Sequence, residues 1–178
     1  MKAIRAKDED LASSLLRIGV DPNSTDVWGP ALTQALRAGL KTVTRLLLAK
    51  GADQNAKDVW GPVLTQAIRA DRDLGSELLQ NGASPNGSDT WGPALTQAIR
   101  AKDETLAIEL LQKGAYPNAV DTWGPALTQA IRARNERLAM MLVEYGANTR
   151  AHDSWGSAVS QSVKYNLLEL TAVLLDAP

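Results

Sequence analysis

Trp28-Gly29-Pro30-Ala31-Leu32-Thr33-Gln34-Ala35 is the stretch on which the fold turns, because near-copies of it start again at Trp60, Trp91, Trp123 and Trp155. Successive tryptophans lie 32, 31, 32 and 32 residues apart. A fixed period of this size signals a solenoid, in which each unit buries its apolar face only against its neighbours. The one short spacing can be located: Arg69 to Leu74 is one residue tighter than Arg100 to Leu106. The deletion therefore falls in the turn between two helices.

Working outward from the motif, Gly-Pro followed by Ala-Leu-Thr-Gln-Ala-Ile-Arg-Ala reads as a helix start, with proline tolerated at the first helical position. A polar turn such as Lys102-Asp103-Glu104 follows, and then a second apolar-periodic stretch, Leu106 to Leu111. Gly114 ends it, as expected for a residue that must turn left-handed after a helix. Ala115 to Thr122 is an extended, turn-rich connection to the next copy. Each repeat is thus helix, turn, helix, finger. The expected helix pairs span roughly 1–18, 30–50, 62–81, 93–113, 125–145 and 156–176, in a single all-α array covering 1–178.

Gly51-Ala52-Asp53-Gln54-Asn55-Ala56-Lys57-Asp58 resembles the finger of the ankyrin-repeat family, and Leu46-Leu47-Leu48 resembles the ending of that family's second helix. The usual Thr-Pro-Leu-His opening is replaced by Gly-Pro-Ala-Leu-Thr-Gln, one residue shorter, which is similar to ankyrin repeats of filamentous fungi. The resemblance covers nearly the whole chain and implies an ankyrin-repeat solenoid of about six helix pairs. Ala3 to Glu9 matches Ala98 to Glu104, so the chain opens partway through a first helix. Terminal repeats normally carry a polar outer face, yet neither end departs much from the internal pattern. A piece of a longer array, ends that pack on something, and a designed or recently duplicated array all fit this uniformity.

Composition narrows the function. Among 178 residues there is no Phe and no Cys, and the apolar residues are mostly Ala and Leu, which suits closely stacked helices. Without cysteine, disulfides, thiolate zinc sites and Cys nucleophiles are excluded. A formal net charge of −1 argues against non-specific attraction to nucleic acid or anionic lipid. The N-terminus is too charged for a secretory signal, and no apolar run approaches the roughly 20 residues that span a bilayer. The expected setting is the cytoplasm or nucleus.

Residues held in every copy are needed by the stack or by a repeated contact. Trp28, Trp60, Trp91, Trp123 and Trp155 precede the finger glycine, at a position that in ankyrin repeats lies near the finger tip. They read either as aromatic anchors for a partner or as indoles that pack on the neighbouring finger. Arg5, Arg37, Arg69, Arg100, Arg132 and Lys164 share one position late in the first helix, which in ankyrin repeats faces the concave groove. With packed helices about 8–10 Å apart, they read as a cationic stripe for an acidic partner, as partners of acids in neighbouring repeats, or as cations stacked on the tryptophans. Gln34, Gln66, Gln97, Gln129 and Gln161, with Thr33, Thr65, Thr96, Thr128 and Ser160, are expected to form a hydrogen-bond ladder linking repeats and fingers. Asp26, Asp58, Asp89, Asp121 and Asp153 are expected to cap the finger turn; one carboxylate per finger is not a calcium loop. His152, the single histidine, reads as an exposed surface residue.

These readings imply a non-catalytic scaffold with no cofactor and no metal. Its expected partner is another protein, offering an acidic or extended segment to the tryptophans Trp28 to Trp155 and to Arg37, Arg69, Arg100, Arg132 and Lys164. A polyanion or nucleic-acid binder is the alternative, disfavoured by the pitch of the ladder and the balanced charge. An enzyme or small-molecule site in the groove has no nucleophile–base pair, phosphate loop or metal set behind it. A membrane is not an expected partner, and uncapped ends leave end-to-end self-association open.

Overall fold

A computed structural model describes residues 1–177, which divide into two compact units meeting between Thr90 and Trp91. In the first unit the helices are α1 (Lys2–Arg5), α2 (Glu9–Arg17), α3 (Ala31–Ala38), α4 (Lys41–Ala49), α5 (Val63–Ala70) and α6 (Arg72–Gln80). In the second they are α7 (Ala94–Arg100), α8 (Glu104–Gln112), α9 (Ala126–Arg132), α10 (Glu136–Glu144), α11 (Ala158–Lys164) and α12 (Leu168–Asp176). The two helices of each pair pack together (α1 with α2, α3 with α4, α5 with α6; α7 with α8, α9 with α10, α11 with α12), and first helices pack on first helices (α1 on α3, α3 on α5; α7 on α9, α9 on α11). Both units are therefore stacked helix pairs, as in a repeat solenoid. No described helix is long and apolar enough to cross a membrane.

Small residues make this close stacking feasible. Ala35, Ala67, Ala98 and Ala130 are fully buried mid-helix, where a larger side chain would push neighbouring first helices apart. Leu32, Leu64, Leu95 and Leu127 fill the space beside them, each essentially without exposure. The second helices contribute Leu47, Leu78, Leu110 and Leu142, so apolar side chains from both helices of a pair fill the same layer.

The chain is not purely helical. Thr25–Asp26 pairs antiparallel with Gly29–Pro30, and Lys57–Asp58 with Gly61–Pro62. In the second unit Val120–Asp121 pairs with Gly124–Pro125, and His152–Asp153 with Gly156–Ser157. This amends the all-α expectation: the finger is a tight β-hairpin with a two-residue tip. It also moves the proline. Pro30 is extended, with φ −61° and ψ 151°, and precedes the helix instead of opening it. Its backbone belongs to the hairpin, opposite Thr25, so Ala31 takes the first helical position.

The turn between paired helices confirms where the deletion lies. Lys7, Gly39, Lys102, Arg134 and Asn166 all sit there with φ between 55° and 75°. The third repeat lacks this residue, and Asp71, at φ −160°, runs directly from α5 into α6. Its carboxylate caps α6 through the N–H groups of Asp73 (3.0 Å) and Leu74 (3.4 Å) and pairs with Lys41. The hydrogen bond from Lys41 holds the Asp71 carboxyl below its ordinary range despite the opposing effect of burial. A left-handed conformation strains a side-chain-bearing residue by roughly 1–2 kcal/mol. Lys102→Gly is therefore expected to stabilise the chain by about 1 kcal/mol, and Gly39→Ala to destabilise it by about as much. Thermal melts of both variants should shift in opposite directions by a few degrees, and a loss for Lys102→Gly would refute the strain.

Candidate functional site

Each hairpin tip is built on one aspartate. Asp26 Oδ1 accepts from the N–H of Trp28 (2.9 Å), closing the turn, and from Gln34 Nε2 (2.7 Å). Gln34 Nε2 also reaches the Gly29 carbonyl (2.7 Å), which ties the hairpin to the start of its own first helix. The other oxygen, Asp26 Oδ2, accepts from Arg5 of the preceding repeat. The same hub recurs at Asp58 with Trp60, Gln66 and Arg37. It recurs again at Asp121 with Trp123, Gln129 and Arg100, and at Asp153 with Trp155, Gln161 and Arg132. Asp89 is paired with Arg69. Burial pushes the Asp26 carboxyl up, but hydrogen bonds from Trp28, Gln34 and Arg5 outweigh it and hold it below the ordinary carboxylate value. At Asp153 burial is likewise outweighed, by Thr128, the Trp155 N–H and Arg132.

The arginines supply the links between repeats. Arg37 Nη2 donates to the Trp28 carbonyl of its own hairpin (3.0 Å) while Nη1 reaches Asp58 of the next. Arg100 does the same between Trp91 (2.7 Å) and Asp121, and Arg132 between Trp123 (2.6 Å) and Asp153. Of the alternatives open for the Arg stripe, pairing with neighbouring acids is the one these contacts match. The Asp carboxylates of the Arg37, Arg69, Arg100 and Arg132 pairs are only 2–5% exposed, so the charges neutralise each other at the seam between repeats. Lys164, at the same position, lies instead 5.8 Å from the centre of the Tyr165 ring.

Of the expected glutamine and threonine ladder linking repeats and fingers, the glutamines form the tie to the finger, and that tie stays within one repeat. Gln34, Gln66, Gln129 and Gln161 donate within their own repeat, Nε2 going to the Asp and Gly of the same hairpin. Thr33, Thr65, Thr96 and Thr128 donate to the proline carbonyl three residues back. A second inter-repeat tie went unread in the sequence. Asn23 donates to the Gly51 carbonyl (3.1 Å) and accepts from the Asp53 N–H (2.8 Å), and Asn118 repeats this on Gly146 and Asn148. Its signal is the recurrence of Asn23, Asn55, Asn86 and Asn118 before the first four hairpins, with Arg150 in that place before the fifth.

With their backbones held this way, the five indoles project outward and are 58–63% exposed. Beside them Val27 and Val59, at 93% and 90%, are more exposed still. Clefts open beneath the tips. One of about 360 Å³ lies among Ile4, Arg5, Trp28, Gln34, Arg37 and Ala38, and one of about 170 Å³ among Ile99, Arg100, Lys102, Trp123, Arg132 and Ala133. His152 is exposed, and no cluster of His, Cys, Asp or Glu among the described residues could hold a metal. Set against known protein families and curated protein sequences, the chain matches none.

Proposed function

We propose that the chain is an ankyrin-type scaffold that binds a partner protein, without catalysis, through its hairpin tips and the clefts beneath them. The helix–turn–helix–hairpin order and the Gly-Ala-Asp-x-Asn-Ala finger support the family reading. One observation carries the functional reading: a large, rigid, amphipathic side chain is held out into solvent at the tip of hairpin after hairpin. An exposed indole adds nothing to a core, whereas at an interface it is the side chain that contributes most per contact. The arginines serve this surface indirectly, by fixing the tips relative to one another. Because their charges are matched at the seam, the partner is recognised by apolar and aromatic contact more than by acidity, and the paired arginines are withdrawn from phosphate contact with a polyanion.

The test uses the double variant Trp91→Ser, Trp123→Ser. Since both indoles are exposed, its melting midpoint should stay within about 2 °C of the parent. A photo-crosslinker placed at Thr122 should yield a discrete adduct in an extract of the source cells, and the double variant should lose it. A crosslinker at Glu109, on the second helices, should give none. Equal yields from the two positions, or an adduct indifferent to the tryptophans, would overturn the proposal.

A further inference from the structure

The last repeat carries an aromatic ring where the repeat before it has Ala133. In the second unit, the cleft lined by Trp123 has three cations in its wall, Arg100 from α7, Lys102 from the turn after it and Arg132 from α9, together with Ile99 and Ala133. One repeat further on, the counterparts of Lys102, Arg132 and Ala133 are Arg134, Lys164 and Tyr165. There the tyrosine ring is half-buried, 5.5 Å from the Arg134 guanidinium carbon and 5.8 Å from Lys164 Nζ. The two positions held by Lys102 and Arg132 at the open cleft therefore place, one repeat on, cations within 6 Å of the centre of an aromatic ring.

We propose that the open cleft beneath Trp123 is a subsite for an aromatic side chain of the partner, with Tyr165 its internal stand-in. The inference rests on the scaffold reading and specifies its chemistry. An aromatic face attracts cations held within about 6 Å of its centre, and Lys102 and Arg132 are positioned to supply them. Ile99, Ala133 and the Trp123 indole, which share the lining, offer the apolar contact. The volume, about 170 Å³, is below the roughly 300–1,000 Å³ of sites that enclose whole small molecules, and suits a single side chain. Arg100 and Arg132 are already committed to Asp121 and Asp153, which favours a ring over a carboxylate. The cleft lined by Trp28 also has Arg37 and Ala38 at the equivalent places, but at about 360 Å³ it is the larger, and no counterpart of Lys102 lines it.

The experiment titrates the full chain, ¹⁵N-labelled, with Ac-Gly-Tyr-Gly-NH₂ and with peptides carrying Leu or Glu in place of Tyr. Indole N–H resonances, assigned by single substitution, are the readout. The Trp123 signal should shift saturably with the Tyr peptide, with at least threefold weaker affinity for the Leu and Glu peptides. Ala133→Tyr should abolish that response while melting cooperatively, since Tyr165 shows that the position accommodates the ring. Tyr165→Ala should do the reverse and make the Trp155 signal respond. Equal binding of the Leu or Glu peptide, or a Tyr response unchanged in Ala133→Tyr, would overturn the subsite. The crosslink at Thr122 separates the two proposals: an adduct undiminished in Ala133→Tyr would overturn the aromatic subsite and leave the scaffold reading standing.

Discussion

Asp121→Ala is expected to destabilise the chain by about 3 kcal/mol, one of the two largest effects we foresee for a single substitution. The carboxylate is 3% exposed and accepts from the Trp123 N–H (2.8 Å), from Gln129 Nε2 (2.8 Å) and from Arg100. Alanine leaves all three donors without that acceptor, and one of them is a guanidinium only 28% exposed. Breaking a buried pair by removing one partner costs roughly 3–5 kcal/mol, because the remaining charge stays desolvated. Partial access of Arg100 to water places this site at the low end of that range. Taking a urea dependence of about 2 kcal/mol per molar, the midpoint should fall by about 1.5 M. Arg100→Ala should cost less, since Asp121 keeps two of its three hydrogen bonds. If Asp121→Ala moved the midpoint by less than Arg100→Ala, the carboxylate would not be the hub of the tip.

The helix pairs were legible in the sequence because they depend on a local signal, the recurrence of an apolar pattern every 31 or 32 residues. The turn deletion was legible for the same reason: aligning copies on Trp60 and Trp91 leaves a single gap, and the left-handed residue is what fills it elsewhere. Pro30 was misplaced by one position because a proline fits both the first helical residue and the extended residue before it. Only the pairing with Thr25 decides between them. The Arg–Asp seam illustrates a different limit. An aspartate and a cation recur at these two positions in every copy, but Arg100 and Asp121 are separated by an entire helix, and no periodicity assigns one to the other. Three arrangements of the cation were compatible with its spacing, and the stacking geometry alone selects between them. For the indoles the ambiguity is intrinsic to the side chain, whose ring is at home in a core or at an interface. Tyr165 in the place of Ala133 was visible as a departure from the repeat, but its meaning depends on the cations that the fold brings to its ring.

Gly124→Ala should cost about 3 kcal/mol, far more than the same change at Gly114, and the contrast measures how closely neighbouring hairpins pack. Both glycines have positive φ, 101° at Gly124 and 89° at Gly114, so both substitutions incur backbone strain of roughly 1–2 kcal/mol. At Gly114 the added methyl meets nothing within 4 Å. At Gly124 it would lie 2.8 Å from Asp153 Cβ and 3.0 Å from Asp153 Oδ2. Neither atom can swing aside, because the carboxylate is fixed by Trp155, Gln161 and Arg132. The hairpins must then separate, loosening the Arg132–Asp153 seam as well as straining the turn. A Cβ added at Gly29, Gly61 or Gly92 would likewise lie 2.5–2.7 Å from the Cβ of Asp58, Asp89 or Asp121, so the glycine of each of the first four tips is the space into which the next aspartate fits. Paired urea titrations of Gly124→Ala and Gly114→Ala give the test. A loss at Gly124 about 2 kcal/mol beyond that at Gly114 is expected from the crowding. Equal losses would mean that the tips stand clear of one another, and that the row of exposed tryptophans is not held rigid by the seam beneath it.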